Sequence, residues 1–566
     1  MMLLIMKKNF YGLFVIIFLV CVCSFLPSQA QERGKLLSSQ LVAVKTVGEI
    51  DNLIEQTLGG GLGATIAKLF LPTYYDVAAY KLVYETIDPL GNPTQATGAV
   101  FIPLGINCDL AMTTYLHGTL TADRDAPSGF AGIESVIGFA LATDAYITVM
   151  PDYLGLGENN GQGLSYHPYQ HAKSEATASV DMMRAARVLC AQQNLKLNGQ
   201  VFLTGYSQGA HATLATQREI ERFHKNEFNL SYVTAGSGPY DLYSKQTKFV
   251  FANPTYTNPS FLPYILFGYQ NIYGGIYNNI SEVLNDPFSV TVPPLFDGSL
   301  NVEQIDSMLP VQWKTIFKPA FLNDVENNSG GRLRLLLREN TVLGWRPRAQ
   351  LRMYFCTKDE LVDFQNSLTA WGDFVKRGAL FNVAALPLGP FKHFDCAQYA
   401  LLATKIKFDS KKKGKGCSSN FWDWWKNNEA PEFENQELVN LYLQNQAEVD
   451  AFVELVEEIN APTLEELLAQ YDPQALEEFK SEQNPGISIT SYPNPTTEEV
   501  TLDLSSLETP VKSVQVFDLQ GASVQVLSET VGEDFMILDF RNLKKGFYII
   551  KVTTEAGTYQ NKVIVH

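Results

Sequence analysis

Val201-Phe202-Leu203-Thr204-Gly205-Tyr206-Ser207-Gln208-Gly209-Ala210 runs from an apolar stretch through two glycines into a helical pattern that extends to Phe223. A G-x-S-x-G between a strand and a helix predicts a sharp turn. Such a turn holds its central residue in a strained backbone conformation and lifts that side chain above the sheet. Glycines two before and two after allow the close backbone approach that the turn needs. Ser207 is therefore the candidate nucleophile. Five residues can equally make an ordinary glycine-rich turn, so the rest of the chain must decide.

A serine hydroxyl is a poor nucleophile near neutral pH. It needs a base within hydrogen-bond reach and a carboxylate that orients that base. After a strand–turn–helix of this kind the partners follow in the order Ser, Asp/Glu, His. Of seven histidines, only His211, His224, His393 and His566 come after Ser207. His211 falls one turn into the helix after the serine, where its side chain packs along that helix. His224 lies near the helix's far end, and His566 is the last residue of the sequence. His393 remains, on the loop Leu388-Gly389-Pro390-Phe391-Lys392-His393 that leaves a predicted strand Ala379–Leu386. For the acid, the strand Leu351–Cys356 is followed at once by Thr357-Lys358-Asp359-Glu360-Leu361-Val362-Asp363. Asp359 is the first carboxylate off the strand, with Glu360 and Asp363 as rivals that could instead sit at a solvated helix start. Oxyanion donors are expected from the backbone of Gln208 and from the Gly118 to Thr119 turn after the strand Leu110–Leu116. His117 is read as a brace of that turn.

The ordered set His117-Gly118-Thr119, Pro151-Asp152-Tyr153-Leu154-Gly155-Leu156-Gly157, the Ser207 pentapeptide, Leu337–Pro347, Thr357–Val362 and His393-Phe394-Asp395-Cys396-Ala397 resembles secretory lipases and related esterases of the α/β-hydrolase superfamily. The resemblance covers roughly residues 75 to 407 and implies Ser207, Asp359 and His393 as a triad. That family usually has a small residue after the nucleophile, so Gln208 is a departure that bears on the shape of the acyl pocket. Asp152 and Tyr153 match positions beside the site, where a loop-bracing role is expected.

Lys7-Lys8, an apolar run from Phe10 to Leu26 and Ser28-Gln29-Ala30 read as a secretory signal cleaved after Ala30, a membrane anchor being the rival. Beyond it stand Cys108, Cys190, Cys356, Cys396 and Cys417, an odd number for an oxidising compartment. Cys108 with Cys190, and Cys396 with Cys417, are the pairs expected, leaving Cys356 as a buried thiol. No cysteine spacing suggests zinc, and the serine route needs no metal or organic cofactor. The net charge of −17 is concentrated in residues 427–482, where acids outnumber bases by 14. Nucleic-acid binding is disfavoured, because Lys411-Lys412-Lys413-Gly414-Lys415 is the one basic run and reads as a solvated loop.

Strands near Val77–Thr86, Thr97–Pro103, Leu110–Leu116, Tyr146–Met150, Val201–Thr204 and Tyr232–Ala235, with helices Ala176–Leu189 and Ala210–Phe223, alternate as in an α/β fold with a mostly parallel sheet. Residues 31–75 read as a helical lead-in. The reach from about 238 to 348 reads as a cap inserted over the strand ends. Phe251, Tyr256, Phe261, Tyr264, Phe267, Tyr269, Tyr273 and Tyr277 would line it or form its core. The catalytic unit is expected over 31–425, an acidic helical linker over 426–485 and an all-β sandwich over 486–566. Thr463 with Glu466 forms a capping-box pattern inside the linker. Tyr492-Pro493-Asn494-Pro495, Phe517–Gly521 and Leu543–Tyr548 resemble the C-terminal sorting domain of the type IX secretion system of Bacteroidetes, a carbohydrate-binding or adhesive module being the rival.

The expected protein is a secreted or cell-surface serine carboxylester hydrolase acting through an acyl-enzyme on an acyl or lipid-like ester. Its C-terminal domain would engage the secretion machinery, with no transmembrane segment left after processing. A serine peptidase of the same superfamily and a non-catalytic surface adhesin are the alternatives.

Overall fold

The structure is a computed structural model that describes residues 33–58, 71–158, 166–413 and most of 444–565. The signal segment 1–30, Cys417, His566 and the Pro493-Asn494-Pro495 and Leu519-Gln520-Gly521 motifs lie outside the described residues. Among the described residues no helix is long and apolar enough to cross a membrane.

A nine-stranded sheet forms the frame, in the order β1-β2-β3-β5-β4-β6-β7-β8-β9. Its strands are β1 (Leu36–Lys45), β2 (Val77–Ile87), β3 (Pro93–Pro103), β4 (Leu110–Leu116), β5 (Tyr146–Pro151), β6 (Leu197–Tyr206), β7 (Asn229–Gly236), β8 (Leu351–Phe355) and β9 (Val383–Pro387). β1, β2, β3 and β5 pair antiparallel, and everything from β5 through β4 to β9 pairs parallel. Parallel strands are covered on both faces, so they read as unbroken apolar runs. β4 and β5 obey this with every residue buried.

Helices α3 (Ala172–Gln192), α4 (Gln208–Phe223) and α8 (Gln365–Lys376) pack on one face around Val180, Leu214, Val233, Met353 and Phe374. The other face is covered by α1 (Val47–Leu58) and α2 (Gly132–Ala142) around Phe101 and Phe139, and by α9 (His393–Lys411) around Leu402 and Ile406. Between β7 and β8 the chain forms a helical insert whose longest pieces are α5 (Phe261–Tyr273), α6 (Pro319–Asn327) and α7 (Arg332–Asn340). Its own core holds Tyr264, Phe267, Phe296, Trp313 and Phe317.

The expected helical lead-in is half wrong. Leu36–Lys45 is an edge strand antiparallel to β2, and only then does α1 begin. Leu37, Leu41, Val42 and Val44 are all exposed, so β1 has no apolar face. Pairing of its backbone with β2 makes it a strand, and that leaves no alternation to read in the sequence.

The acidic stretch contributes α10 (Gln446–Val456), α11 (Leu464–Tyr471) and α12 (Pro473–Glu482). Val449, Phe452, Val453 and Val456 are buried against α9, and Leu464, Leu467 and Leu468 against the α8 side of the core. The Thr463–Glu466 capping box forms. Carboxylates of Asp472 and Glu457 pair with Lys245 and Lys407, so part of the negative charge goes into ion pairs with the insert and α9.

The C-terminal strands form two antiparallel four-stranded sheets around Val500, Leu502, Val516, Ile550 and Val563. Their strands include Val511–Asp518, Ser523–Val524, Leu527–Val531 and Phe535–Asp539.

The cysteines pair differently from the expectation. Cys356 is bonded to Cys396, with their Cα atoms 6.0 Å apart. α9 starts at His393, which carries Cys396 one turn in and against the end of β8. Cys190 is a free thiol, buried in the core at the end of α3 and pushed up to about 12 by burial. Cys108 is disulfide-bonded, though not to Cys190.

Candidate active site

The Ser207 turn forms at the C-terminal end of β6, in the middle of the sheet. Ser207 has φ 58° and ψ −121°, the left-handed half of backbone space that a side chain adopts only under local constraint. The two glycines are required by contact. A Cβ at Gly205 would lie 2.3 Å from the Gly209 carbonyl oxygen, and one at Gly209 would lie 1.8 Å from the Leu116 carbonyl oxygen. The Ser207 N–H donates to Gly236 O at 2.9 Å, which ties the turn to β7.

Asp359 follows β8, and His393 opens α9 beyond β9. Each is almost wholly buried, and His393 Nδ1 lies 2.7 Å from Asp359 Oδ2. The other carboxylate oxygen, Oδ1, accepts from the backbone of Leu361 at 3.0 Å and Val362 at 2.8 Å. A carboxylate fixed by two N–H donors leaves its second oxygen for the imidazole alone. The rivals go elsewhere: Glu360 accepts from the His393 backbone N–H at 3.1 Å, and Asp363 from the Gln365 N–H at 3.0 Å. Tyr206, beside the serine, donates its hydroxyl to the His393 carbonyl at 2.6 Å. The Cys356–Cys396 bridge stands three residues from Asp359 on one side and three from His393 on the other. Ser207 is partly buried, and among the described residues no hydrogen bond joins its Oγ to His393 Nε2.

His117 is fully buried, with Nδ1 2.7 Å from Gly118 O and Nε2 3.2 Å from Asp152 O. Burial holds it down to about 4 despite those backbone contacts, so it braces the Gly118–Thr119 turn through one ring N–H. Thr119 Oγ1 is 2.9 Å from the Tyr169 hydroxyl. Asp152 Oδ1 accepts from Ser128 N at 2.8 Å and Oδ2 from the Thr97 hydroxyl, which makes it a loop brace.

Gln208 begins α4 with its backbone beside the serine and its side chain turned inward. Its Nε2 lies 3.0 Å from both His167 Nε2 and Glu175 Oε1. The amide therefore does not shape the pocket, which was the concern raised by a large residue at this position. No periodicity or motif could have singled out Glu175, which sits in an otherwise ordinary stretch of α3.

Ser207 lies in the wall of an apolar pocket of about 900 Å³, its mouth included. Val250, Leu262, Leu322, Val325, Leu333 and Leu337 of the insert supply much of the remaining wall. Phe251, Tyr256 and Phe261 face it as expected, with Trp313, Phe317 and Phe321, which the sequence reading did not single out. Tyr264, Phe267 and Tyr277 pack in the insert's core, and Tyr269 and Tyr273 pack against α7.

Residues 490–566 match the family model described as a secretion system C-terminal sorting domain. No curated protein sequence matches the chain. Among solved structures, the rice cell wall degrading esterase LipA from Xanthomonas oryzae is 29% identical with a TM-score of 0.59, over 67% of this chain and 100% of that one. A putative hydrolase from Legionella pneumophila is 25% identical with a TM-score of 0.60, over 67% of this chain and 98% of that one. Candida antarctica lipase A in its closed state, 19% identical with a TM-score of 0.52 over 73% and 92% of the two chains, shares the fold. The chain thus has a lipase- and esterase-like α/β-hydrolase fold and carries a secretion-system sorting domain over residues 490–566, which marks it as secreted or held at the cell surface.

Proposed function

We propose that the protein is a serine carboxylester hydrolase that works through an acyl-enzyme. Ser207 Oγ attacks the ester carbonyl while His393 Nε2 takes its proton, and Asp359 holds the imidazolium through Nδ1–H. The backbone N–H groups of Gln208 and of Gly118 to Thr119 receive the oxyanion, each such donor being worth about 3 kcal/mol of transition-state stabilisation. His393 then protonates the leaving alcohol, and water, activated by the same imidazole, cleaves the acyl-enzyme. The Ser207–His393 hydrogen bond closes when substrate engages, as catalytic contacts of free enzymes commonly do.

The observation that carries this reading is the 2.7 Å contact from His393 Nδ1 to Asp359 Oδ2, with Asp359 Oδ1 held by two backbone donors, behind a strained serine turn. The apolar pocket opening on Ser207 favours an acyl chain over a peptide side, since it presents few groups that could satisfy a peptide's donors and acceptors. The sorting domain would take part in delivery and have no role in the chemistry. Residues 31–425 are proposed as the catalytic unit, with the insert at about 238–348 as its cap, 426–485 as a packed acidic segment and 486–566 as the sorting domain.

A fluorophosphonate probe should label the purified protein and fail on Ser207→Ala, and p-nitrophenyl esters should turn over far faster than aminoacyl anilides. A wild-type protein that neither labels nor hydrolyses esters would leave an inert, adhesive hydrolase fold as the better reading.

A further inference from the structure

Behind the nucleophile turn lies a closed polar chain that the proposed reaction does not use. Glu175, His211, Gln208, His167 and Asn340 are each at least 97% buried. His167 Nδ1 lies 2.6 Å from the Leu154 carbonyl oxygen, and burial lowers its affinity for a proton to about 3. The ring is therefore neutral: Nδ1–H donates to Leu154, and Nε2 accepts from Gln208. Gln208 Nε2 gives its second proton to Glu175 Oε1, while Gln208 Oε1 has no partner. Turning the amide over would set its oxygen against the carboxylate, so this orientation is fixed.

Glu175 Oε2 in turn is 2.7 Å from His211 Nδ1, and His211 Nε2 is 2.7 Å from the Asn340 carbonyl oxygen. A carbonyl only accepts, so Nε2 carries a proton, and the contact with Glu175 shares a further one. Asn340 is the last residue of α7, and its side chain also accepts from Ala172 N at 3.0 Å and donates to the Tyr273 hydroxyl at 3.0 Å. One carboxylate thus connects the first residue of α4 to the end of the insert.

Resting on the serine-hydrolase reading, we propose that Glu175 is a positioning residue: through Gln208 it fixes the backbone N–H that receives the oxyanion, and through His211 and Asn340 it registers the insert against that donor. The substrate pocket does not touch this chain, so the effect falls on the transition state more than on substrate binding. Gln208 Oε1 apart, the polar side-chain atoms of this network are paired, and breaking such a buried network leaves further costly unpaired groups.

The test uses the full chain, with active sites counted by fluorophosphonate titration. Glu175→Ala should lower kcat on the order of 10- to 100-fold with KM changed less than about threefold, and should weaken an alkyl boronic acid, a transition-state mimic, by a similar factor. Glu175→Gln should restore both, since its amide can accept from Gln208 and donate to a neutral His211. Gln208→Ala keeps the backbone N–H while removing the strut and should show the same split, which preserves the test if Glu175→Ala does not fold. A titrated Glu175→Ala enzyme with wild-type kcat and boronate affinity would overturn the inference, as would Glu175→Gln being as impaired as Glu175→Ala. If hydrolysis is undiminished in Ser207→Ala, the underlying reading fails instead, and the two failures are distinguishable.

Discussion

Asp359→Asn is the substitution that most sharply questions the proposed chemistry. The Leu361 and Val362 N–H groups, at 3.0 and 2.8 Å, bind Oδ1 and can bind only an acceptor. An asparagine must therefore keep its oxygen there and turn its NH2 toward His393 Nδ1, where a carboxylate oxygen stands at 2.7 Å. An amide nitrogen only donates, so Nδ1 must become the acceptor and the ring proton moves to Nε2. The nitrogen facing Ser207 can then no longer take a proton. A base held in the wrong tautomer costs roughly 10⁴ in kcat, or about 5.5 kcal/mol of barrier, whereas the substrate pocket is untouched and KM should stay within about threefold. Stopped-flow acylation with a p-nitrophenyl ester measures this directly. Glu360→Gln and Asp363→Asn serve as controls and should each cost less than about tenfold, because neither carboxylate has its contact with the imidazole. An Asp359→Asn enzyme within tenfold of wild type, or a Glu360→Gln enzyme down by 10⁴, would refute the assignment of the acid.

Three further outcomes follow from the packing. Replacing both Cys356 and Cys396 by alanine opens a bridge with a sequence separation of 40, worth on the order of 4 kcal/mol by loop closure, so the urea midpoint should fall by that amount divided by the m-value; an unchanged midpoint contradicts it. Burial pushes the Glu134 carboxyl up to about 8, so the folded state holds a proton that the unfolded chain releases above its ordinary value of 4.5. Stability is then lost as pH rises through that window, and the stability difference between Glu134→Gln and wild type should grow by about 3.5 kcal/mol from pH 5 to pH 8; a pH-independent difference in urea titrations would count against it. Leu337→Trp fills part of the pocket wall on α7 and should cut kcat/KM on long-chain esters relative to butyrate by about 200-fold if four methylenes lose burial at about 0.8 kcal/mol each, as read from an acyl-length series; equal losses at all lengths would mean the chain lies elsewhere.

Much of the frame was legible because its strands are buried on both faces. Leu110–Leu116 is apolar or threonine throughout and could be nothing but an interior strand, and Ser207, Asp359 and His393 each follow such a run. Legibility failed wherever a role depends on contact between distant parts of the chain. β1 is made by backbone pairing to β2, with most of its side chains exposed. The Cys356–Cys396 bridge depends on α9 starting at His393 beside the end of β8, a tertiary placement that no local pattern marks. Glu175 looked like any acid of a helical stretch, since only the folded chain shows that it faces Gln208 and His211. The aromatic insert was read correctly as aromatic but not residue by residue. Which of two adjacent rings lines a pocket and which fills a core is decided by helix orientation within the insert.

The insert is also more than a cover for the strand ends. Gln246 donates to the Leu361 carbonyl at 2.8 Å, and the Tyr256 hydroxyl donates to the same oxygen at 2.8 Å. Leu361 is the residue whose own N–H fixes Asp359 Oδ1, so the loop that orients the acid is clamped from the sheet side by β8 and from above by the insert. On the other flank, Asn340 at the insert's end reaches the nucleophile turn through His211 and Glu175. The insert residues that line the pocket beside Ser207 therefore belong to the same segment that contacts the Asp359 loop and, through Asn340, the Gln208 turn, and on the proposed chemistry these are the acid and the oxyanion donor. In such an arrangement, substrate selection and catalytic geometry are not separable modules. A change that widens the pocket by shifting α6 or α7 is transmitted to Asp359 and Gln208, whereas a side-chain change that leaves those helices in place is not. Specificity in this fold can consequently be altered at low catalytic cost by resizing wall residues such as Val325 or Leu333, but not by remodelling the helices that carry them.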